Sequence, residues 1–221
     1  MSPYQKLQGN IKSLIGDLGI REGHVVPDEK TLDVIQKIYS DCGNPQNICE
    51  IGFNAGHSAA CWLTINEYGN FHSVDNGFHN YTLNQMKKFE VAFPDRFSYT
   101  LSDSKTLTPE FYVGYDLVIV DGGHDWPSVQ HDYRMAREAG VPYILFDDYL
   151  IHNVDHEMYH RPEKSVTTLV DRVIQRSDQP YYRVARYDIP TDNRWLDPAR
   201  LEEWGECKLE TVQILLKRVE E

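Results

Sequence analysis

The sequence predicts an α/β fold of the doubly wound, Rossmann-like kind, with a seven-stranded, mostly parallel sheet, and three observations carry that prediction. Short apolar runs alternate with helical stretches from residue 46 to residue 150, which means parallel strands covered by helices on both faces. The run Ile48-Cys49-Glu50-Ile51-Gly52-Phe53-Asn54-Ala55-Gly56-His57-Ser58 reads as a buried strand entering a glycine-bearing turn and then a helix. After Tyr149 the alternation stops. The last two strand candidates have no crossover helix of convincing length between them, so they pair antiparallel as an edge hairpin.

The elements follow in order. Leu7, Ile11, Leu14, Ile15 and Leu18 recur at helical spacing, and a second helix fits residues 28–39 with Asp28 as its cap. Strand 48–52 is followed by a helix over 58–67, and strand 71–75 by a helix over 83–93. Strand 97–101 leads through a polar stretch to Leu117-Val118-Ile119-Val120, and a helix over 127–139 precedes strand 143–146. A loop rich in His and Asp (151–161), a helix carrying Val166, Leu169, Val170, Val173 and Ile174, and strands 181–187 and 209–219 complete the chain. With 221 residues and no linker or repeat, one domain is expected: N-terminal helices (1–45), a ligand-binding core (46–150) and a loop, helix and terminal strands (151–221).

Composition excludes several classes. The net charge of -12, from 34 acidic and 22 basic residues, disfavours polynucleotide substrates, which need a basic surface. No apolar run approaches the ~18 residues of a membrane span, and Met1-Ser2-Pro3-Tyr4-Gln5-Lys6 is not a signal peptide. Cys42, Cys49, Cys61 and Cys207 are dispersed without C-x-x-C spacing, so they read as reduced core thiols. A cytoplasmic protein is expected, without membrane or nucleic-acid partners, and nothing opposes a homo-oligomer.

In open α/β sheets, ligands bind beyond the carboxyl ends of the strands. Here those ends carry the Gly52–Ser58 loop, Asp75, Asp103, Asp121-Gly122-Gly123-His124 and Asp147-Asp148-Tyr149. The glycines accept unusual dihedrals and let a bound molecule approach the backbone. The loop and the helix after it thus read as a nucleoside-cofactor cradle. Asp75 can accept both ribose hydroxyls through its two oxygens. The loop spells G-x-N-x-G-x-S and not G-x-G-x-x-G, which weakens a dinucleotide reading. Asp103 can accept from an adenine amino group or cap a turn. Asp121, Asp147 and Asp148 on adjacent strand ends crowd together, and like charges that close need protons or a cation. Oxygen ligands suit Mg²⁺ or Mn²⁺; a turn cap is the plain alternative for Asp147 or Asp148.

Together, Glu50-Ile-Gly-Phe-Asn-Ala-Gly-His-Ser58, Asp75, Asp121-Gly-Gly-His124 and Phe146-Asp-Asp-Tyr149 resemble class I S-adenosylmethionine-dependent methyltransferases. The likeness is to the metal-dependent small-molecule O-methyltransferases, including the catechol type and relatives acting on antibiotics and sugars, and covers residues 46–150. The resemblance implies that the glycine loop holds the methionine moiety, Asp75 the ribose, and Asp121 with Asp147 and Asp148 the metal. The candidate cofactor residues are thus Glu50, Gly52, Phe53, Asn54, Gly56, Ser58, Asp75, Asp103 and Asp121. The catechol type commonly has Asn where Asp148 stands and Lys where His124 stands, and only Gly123 stands where an aromatic flanks adenine.

His124, three residues past Asp121, is the candidate general base; its plain alternative is a cap for the helix beginning near Pro127. His156-Glu157-Met158-Tyr159-His160 spells the H-E-x-x-H zinc motif. Pro162 and the lack of an apolar flank favour instead a polar loop at the mouth of the site. Tyr81, His79, Trp126, Trp195 and Trp204 can line a pocket or simply pack. The expected activity is methyl transfer from S-adenosylmethionine to a hydroxyl of a small molecule. A nicotinamide-dependent oxidoreductase and a non-catalytic nucleoside-binding module are the alternatives.

Overall fold

A computed structural model of the chain describes residues 1–16, 25–153, 158–159, 164–176, 180–191 and 209–219. The short apolar runs form the parallel strands β1 (Asn47–Ile51), β2 (Asn70–Asp75), β3 (Phe97–Leu101), β4 (Leu117–Val120) and β5 (Tyr143–Asn153). Three more strands follow: β6 (Met158–Tyr159), β7 (Tyr181–Thr191) and β8 (Leu209–Arg218). The main path runs β3-β2-β1-β4-β5-β8-β7, with the two-residue β6 paired to β5 off this path. The strands from β3 to β5 pair parallel, and β8 pairs antiparallel with both β5 and β7. The chain order reverses between β1 and β4, and ligands of doubly wound sheets sit above that reversal.

Period-two alternation decides which side chain meets which layer. Ile48, Phe71, Ile119 and Leu145 pack under α1 (Pro3–Asn10), α2 (Glu29–Asp41), α3 (His57–Ile65) and α4 (Thr82–Ala92). Cys49, Ile51, Val74, Val118, Val120, Ile144 and Phe146 pack under α5 (Pro109–Tyr112), α6 (Trp126–Glu138) and α7 (Lys164–Gln175). β4 is buried throughout, as a central strand covered on both faces must be. Pro190 lies in β7, the last strand of the path, and its carbonyl accepts from Val26 N at 3.0 Å.

Several details depart from the sequence expectation. The N-terminal helix narrows to α1 and a π-helical turn, Ile11–Ile15, that stops at Gly16 with φ 60°; Leu18 lies outside the described residues. Asp28 does cap α2, accepting from Thr31 N at 2.8 Å. α6 begins one residue early and is capped by Asp125, which accepts from Ser128 N at 3.2 Å, so His124 is released from capping. Strand five does not end at Phe146. It runs on to Asn153, and its register with β8 shifts between Phe146 and Leu150. Asp147-Asp148-Tyr149 is therefore a bulge inside a long strand, with Asp148 at φ 51°. Bulges of this kind re-aim side chains beside functional sites. Cys42, Cys49 and Cys61 are buried free thiols, and burial raises the pKa of all three; Cys207 is outside the described residues. Among the described residues, no helix is long and apolar enough to cross a membrane.

Candidate active site

The turn after β1 is shaped by the protein's own packing. Gly52 has φ 99°, and a Cβ there would lie 1.9 Å from the Asp121 carbonyl oxygen and 3.0 Å from Gly122 N. Gly56 has φ 90°, and a Cβ there would strike the Phe53 and Phe89 rings at 2.6 and 2.8 Å. These glycines make room for the β4 loop and the aromatic core, with the Gly52 N–H bonded to Val74 O and the Asp121 N–H to Ile51 O across the strand ends.

Asp75 ends β2 beside this turn. Its Oδ2 accepts from Phe53 N at 2.9 Å and Asn54 N at 3.0 Å, and its Oδ1 accepts from Gly77 N at 2.8 Å. The carboxylate fixes the loop's shape; both lone pairs of Oδ2 are used, and Oδ1 keeps one for a further donor. Asn54, at φ 50°, is pinned again: its Oδ1 accepts from Tyr81 Oη at 2.6 Å and its carbonyl from Thr82 Oγ1 at 3.0 Å. Tyr81 stacks on His79 at 5.2 Å between centroids. Asp103 is exposed and caps the 3-10 turn Ser104–Thr106, accepting from Lys105 N at 3.0 Å, so its plain reading as a turn cap is the one observed.

Glu50 is fully buried. Burial pushes its carboxyl up to about 8, against the opposing pull of the Ser58 and Ser73 hydroxyls. Ser73 Oγ donates to Oε2 at 3.2 Å, while Oε1 has no hydrogen-bond partner. A carboxyl with a bare buried oxygen is the feature a cationic donor would complete.

Across the reversal in strand order lies the acidic group. One ligand atom each from Asp121, His124 and Asp148 lies within 4.8 Å of the others. His124 Nε2 is 3.4 Å from Asp148 Oδ2 and makes no hydrogen bond. Burial first, then the Asp147 and Asp148 charges, raises the pKa of Asp121; burial and Asp148 do the same to Asp147. The structure does not bring Asp147 into the group. Its Oδ1 accepts from Asp148 N at 2.8 Å and lies 3.2 Å from Thr211 Oγ1, which is also 2.7 Å from Asp148 Oδ1. Gln213 hydrogen bonds to Asp147 as well. Thr211 and Gln213, on β8, were missed from sequence: polar residues in a terminal strand look like a solvent face, and only the β5–β8 register sets them against the bulge.

Residues 49–149 match a family model described as a methyltransferase domain. Solved structures share the fold of this chain at low identity. An O-methyltransferase of Streptomyces achromogenes involved in tomaymycin synthesis, solved with S-adenosylmethionine, is 12% identical with a TM-score of 0.58, over 99% of this chain and 90% of that one. A Staphylococcus aureus protein provisionally assigned as a caffeoyl-CoA O-methyltransferase is 14% identical with a TM-score of 0.60, over 98% and 93%. A Pyrococcus horikoshii protein provisionally assigned as an RNA methyltransferase is 14% identical with a TM-score of 0.61, over 100% of both chains. No curated protein matches in sequence. In this chain the H-E-x-x-H stretch finds no helix at its centre: Met158 and Tyr159 are extended and pair with His152–Asn153, while His156 and His160, like Trp195 and Trp204, lie outside the described residues.

Proposed function

We propose that the chain is an O-methyltransferase that moves the methyl group of S-adenosylmethionine to a hydroxyl of a small molecule, with a divalent cation held at Asp121 and Asp148. The observation that carries this reading is the grouping of Asp121, His124 and Asp148 beside the glycine turn, at the reversal of strand order. The two carboxylates fit Mg²⁺ or Mn²⁺, with water and acceptor oxygens filling the remaining positions. The raised Asp121 and Asp147 carboxyls mark a site short of positive charge. When bound, the cation supplies Lewis acidity that lowers the pKa of the acceptor hydroxyl.

The chain's own residues do the rest. Gly52–Ser58 and Asp75 hold the cofactor, Asp75 through the one lone pair that its three amide bonds leave on Oδ1. Glu50 offers its unpartnered Oε1 to the cofactor's ammonium group. His124 accepts the acceptor's proton at Nε2 while the methyl group passes from sulfur to oxygen, and Asp148 at 3.4 Å stabilises the imidazolium that results. Alignment of the two reacting atoms accounts for the remaining acceleration. Asp147, Thr211 and Gln213 hold the bulge that aims Asp148. The grouping itself favours a second role for His124, as a third metal ligand, and metal affinity separates the two roles. The test of the function is transfer of a labelled methyl group from S-adenosylmethionine to a panel of phenolic, sugar and polyketide hydroxyl compounds. Label on oxygen in at least one product is expected. Cofactor binding without transfer to any acceptor would leave a non-catalytic nucleoside-binding module.

A further inference from the structure

α7 touches the chain beside both Asp148 and His124. Tyr149 follows Asp148 directly in the β5 bulge. Its hydroxyl donates to Asp171 Oδ1 at 3.0 Å, and its carbonyl accepts from Thr167 Oγ1 at 2.6 Å. Thr167 and Asp171 are four residues apart on α7, so they share one face of the helix. At the next position the Arg172 guanidinium lies over the Trp126 ring, 5.1 Å from its centroid. Trp126 opens α6 two residues after His124. One stretch of α7 therefore grips the neighbours of the two groups that stand 3.4 Å apart.

Packing alone does not call for these contacts. Val166, Leu169 and Val170 are buried in the core under the sheet, and that apolar face already seats the helix. Apolar contact tolerates small slides, whereas hydrogen bonds to both the carbonyl and the hydroxyl of Tyr149 fix its place. Thr211 of β8 holds the bulge within the sheet, through Asp148 Oδ1; α7 holds it from the helical layer. Such support matters because a binding group must be kept within about 0.5 Å of its working geometry by neighbours that are themselves locked.

We propose that α7 is a brace that sets the spacing of Asp148 and His124, with Tyr149 and Asp171 positioning the carboxylate and Arg172, through Trp126, positioning the imidazole. Resting on the cation site of the proposed function, the brace divides the work: the Tyr149 side governs cation affinity, and the Arg172 side governs the rate of transfer once the cation is bound.

The test is the Mn²⁺ affinity of the full chain, read from the electron paramagnetic resonance of the free ion with no methyl acceptor present. Tyr149→Phe keeps the ring and loses the bond to Asp171. It should weaken Mn²⁺ binding by about tenfold, the usual cost of losing a group that orients a metal ligand. Asp171→Ala should do the same, and serves alone if Tyr149→Phe fails to fold. Asp171→Asn keeps an oxygen that accepts from the phenol, and should stay within about threefold of the parent. Arg172→Gln, at an exposed position, should leave Mn²⁺ affinity in place and lower kcat several-fold at saturating Mn²⁺ with KM little changed. S-adenosylhomocysteine affinity should be the same in all four. Folded Asp171→Ala with a lower melting temperature and parental Mn²⁺ affinity would overturn the brace, as would equal losses in Asp171→Ala and Asp171→Asn. Parental kcat in Arg172→Gln would overturn its imidazole half. A parent chain that binds no Mn²⁺ would instead overturn the cation site itself, and the brace with it.

Discussion

The turn after β1 and the bulge in β5 face each other across the switch point of the sheet, and they are built on opposite terms. In the turn the polar backbone is largely satisfied: Asp75 takes three amides, Asn54 is held from both sides, and each glycine is demanded by a protein neighbour. Around the bulge, satisfaction fails. Asp121 and Asp147 are raised by burial and by neighbouring aspartate charge, from Asp147 and Asp148 on the first and from Asp148 on the second; Asp148 sits at positive φ, and His124 Nε2 has no hydrogen bond. The first region is held by its own hydrogen bonds, and the second leaves buried acids short of positive charge. On the proposed function, the preformed turn limits the ordering entropy of cofactor binding, and the unbalanced acid cluster gives a cation its affinity.

The largest effect tests the scaffold. Gly52→Val drives a side chain into the Asp121 carbonyl and forces positive φ on a branched residue, so a loss above about 4 kcal/mol is expected. Urea unfolding should show it, and a variant of native stability would mean that packing does not fix the turn. Next comes the proton. His124→Ala should lower the transfer rate by about 10²- to 10⁴-fold, with the deficit shrinking as pH rises and the acceptor ionises unaided. Metal affinity measured on the same variant should stay within about threefold; a loss of tenfold or more would make His124 a ligand.

Asp75→Ala leaves three amides without their acceptor and removes a charged partner from the cofactor, so S-adenosylhomocysteine affinity should fall by about tenfold or more. Unchanged calorimetric affinity in a folded variant would take Asp75 out of the site. The smallest effect is on stability. Glu50, Asp121 and Asp147 have folded pKa values raised above their unfolded ones. Their acid forms therefore suit the fold, and the stability they allow is present below the unfolded pKa and lost as pH rises toward about 8 for Glu50. Metal-free protein should melt lower at pH 8 than at pH 6, and Asp147→Asn should recover a few degrees at pH 8, about 1 kcal/mol for a chain of this size. A melting temperature that does not change between those pH values would show that the acids are not strained.

How much of this the sequence carries follows from the range of the forces involved. β4 is legible because a strand buried on both faces reads as an unbroken apolar run, as Leu117–Val120 does. The ends of β1, β2 and β4 are legible too, and they locate the glycine turn, Asp75 and Asp121. The bulge is not. Asp147-Asp148 reads as a strand end because two carboxylates rarely continue a strand, and only pairing with β8, some 60 residues on in the chain, carries it to Asn153. Thr211 and Gln213 escape by the same route. The helix cap at Asp125 differs from His124 by one residue, within the usual uncertainty of helix ends, yet that residue decides whether the imidazole is available. That the glycine turn needs glycine was legible; that β4 and the aromatic core impose the need was not.

On the proposed function, the acidic group works only with a divalent cation while the cofactor turn works without one. The direct measurement is methyl transfer and S-adenosylhomocysteine binding in parallel, on chelated protein and after adding Mg²⁺ or Mn²⁺. Chelation is expected to abolish transfer and either cation to restore it, Asp148→Asn is expected to resist restoration at ordinary cation concentrations, and cofactor affinity is expected to stay unchanged throughout. Full transfer in excess chelator by metal-free protein would contradict it.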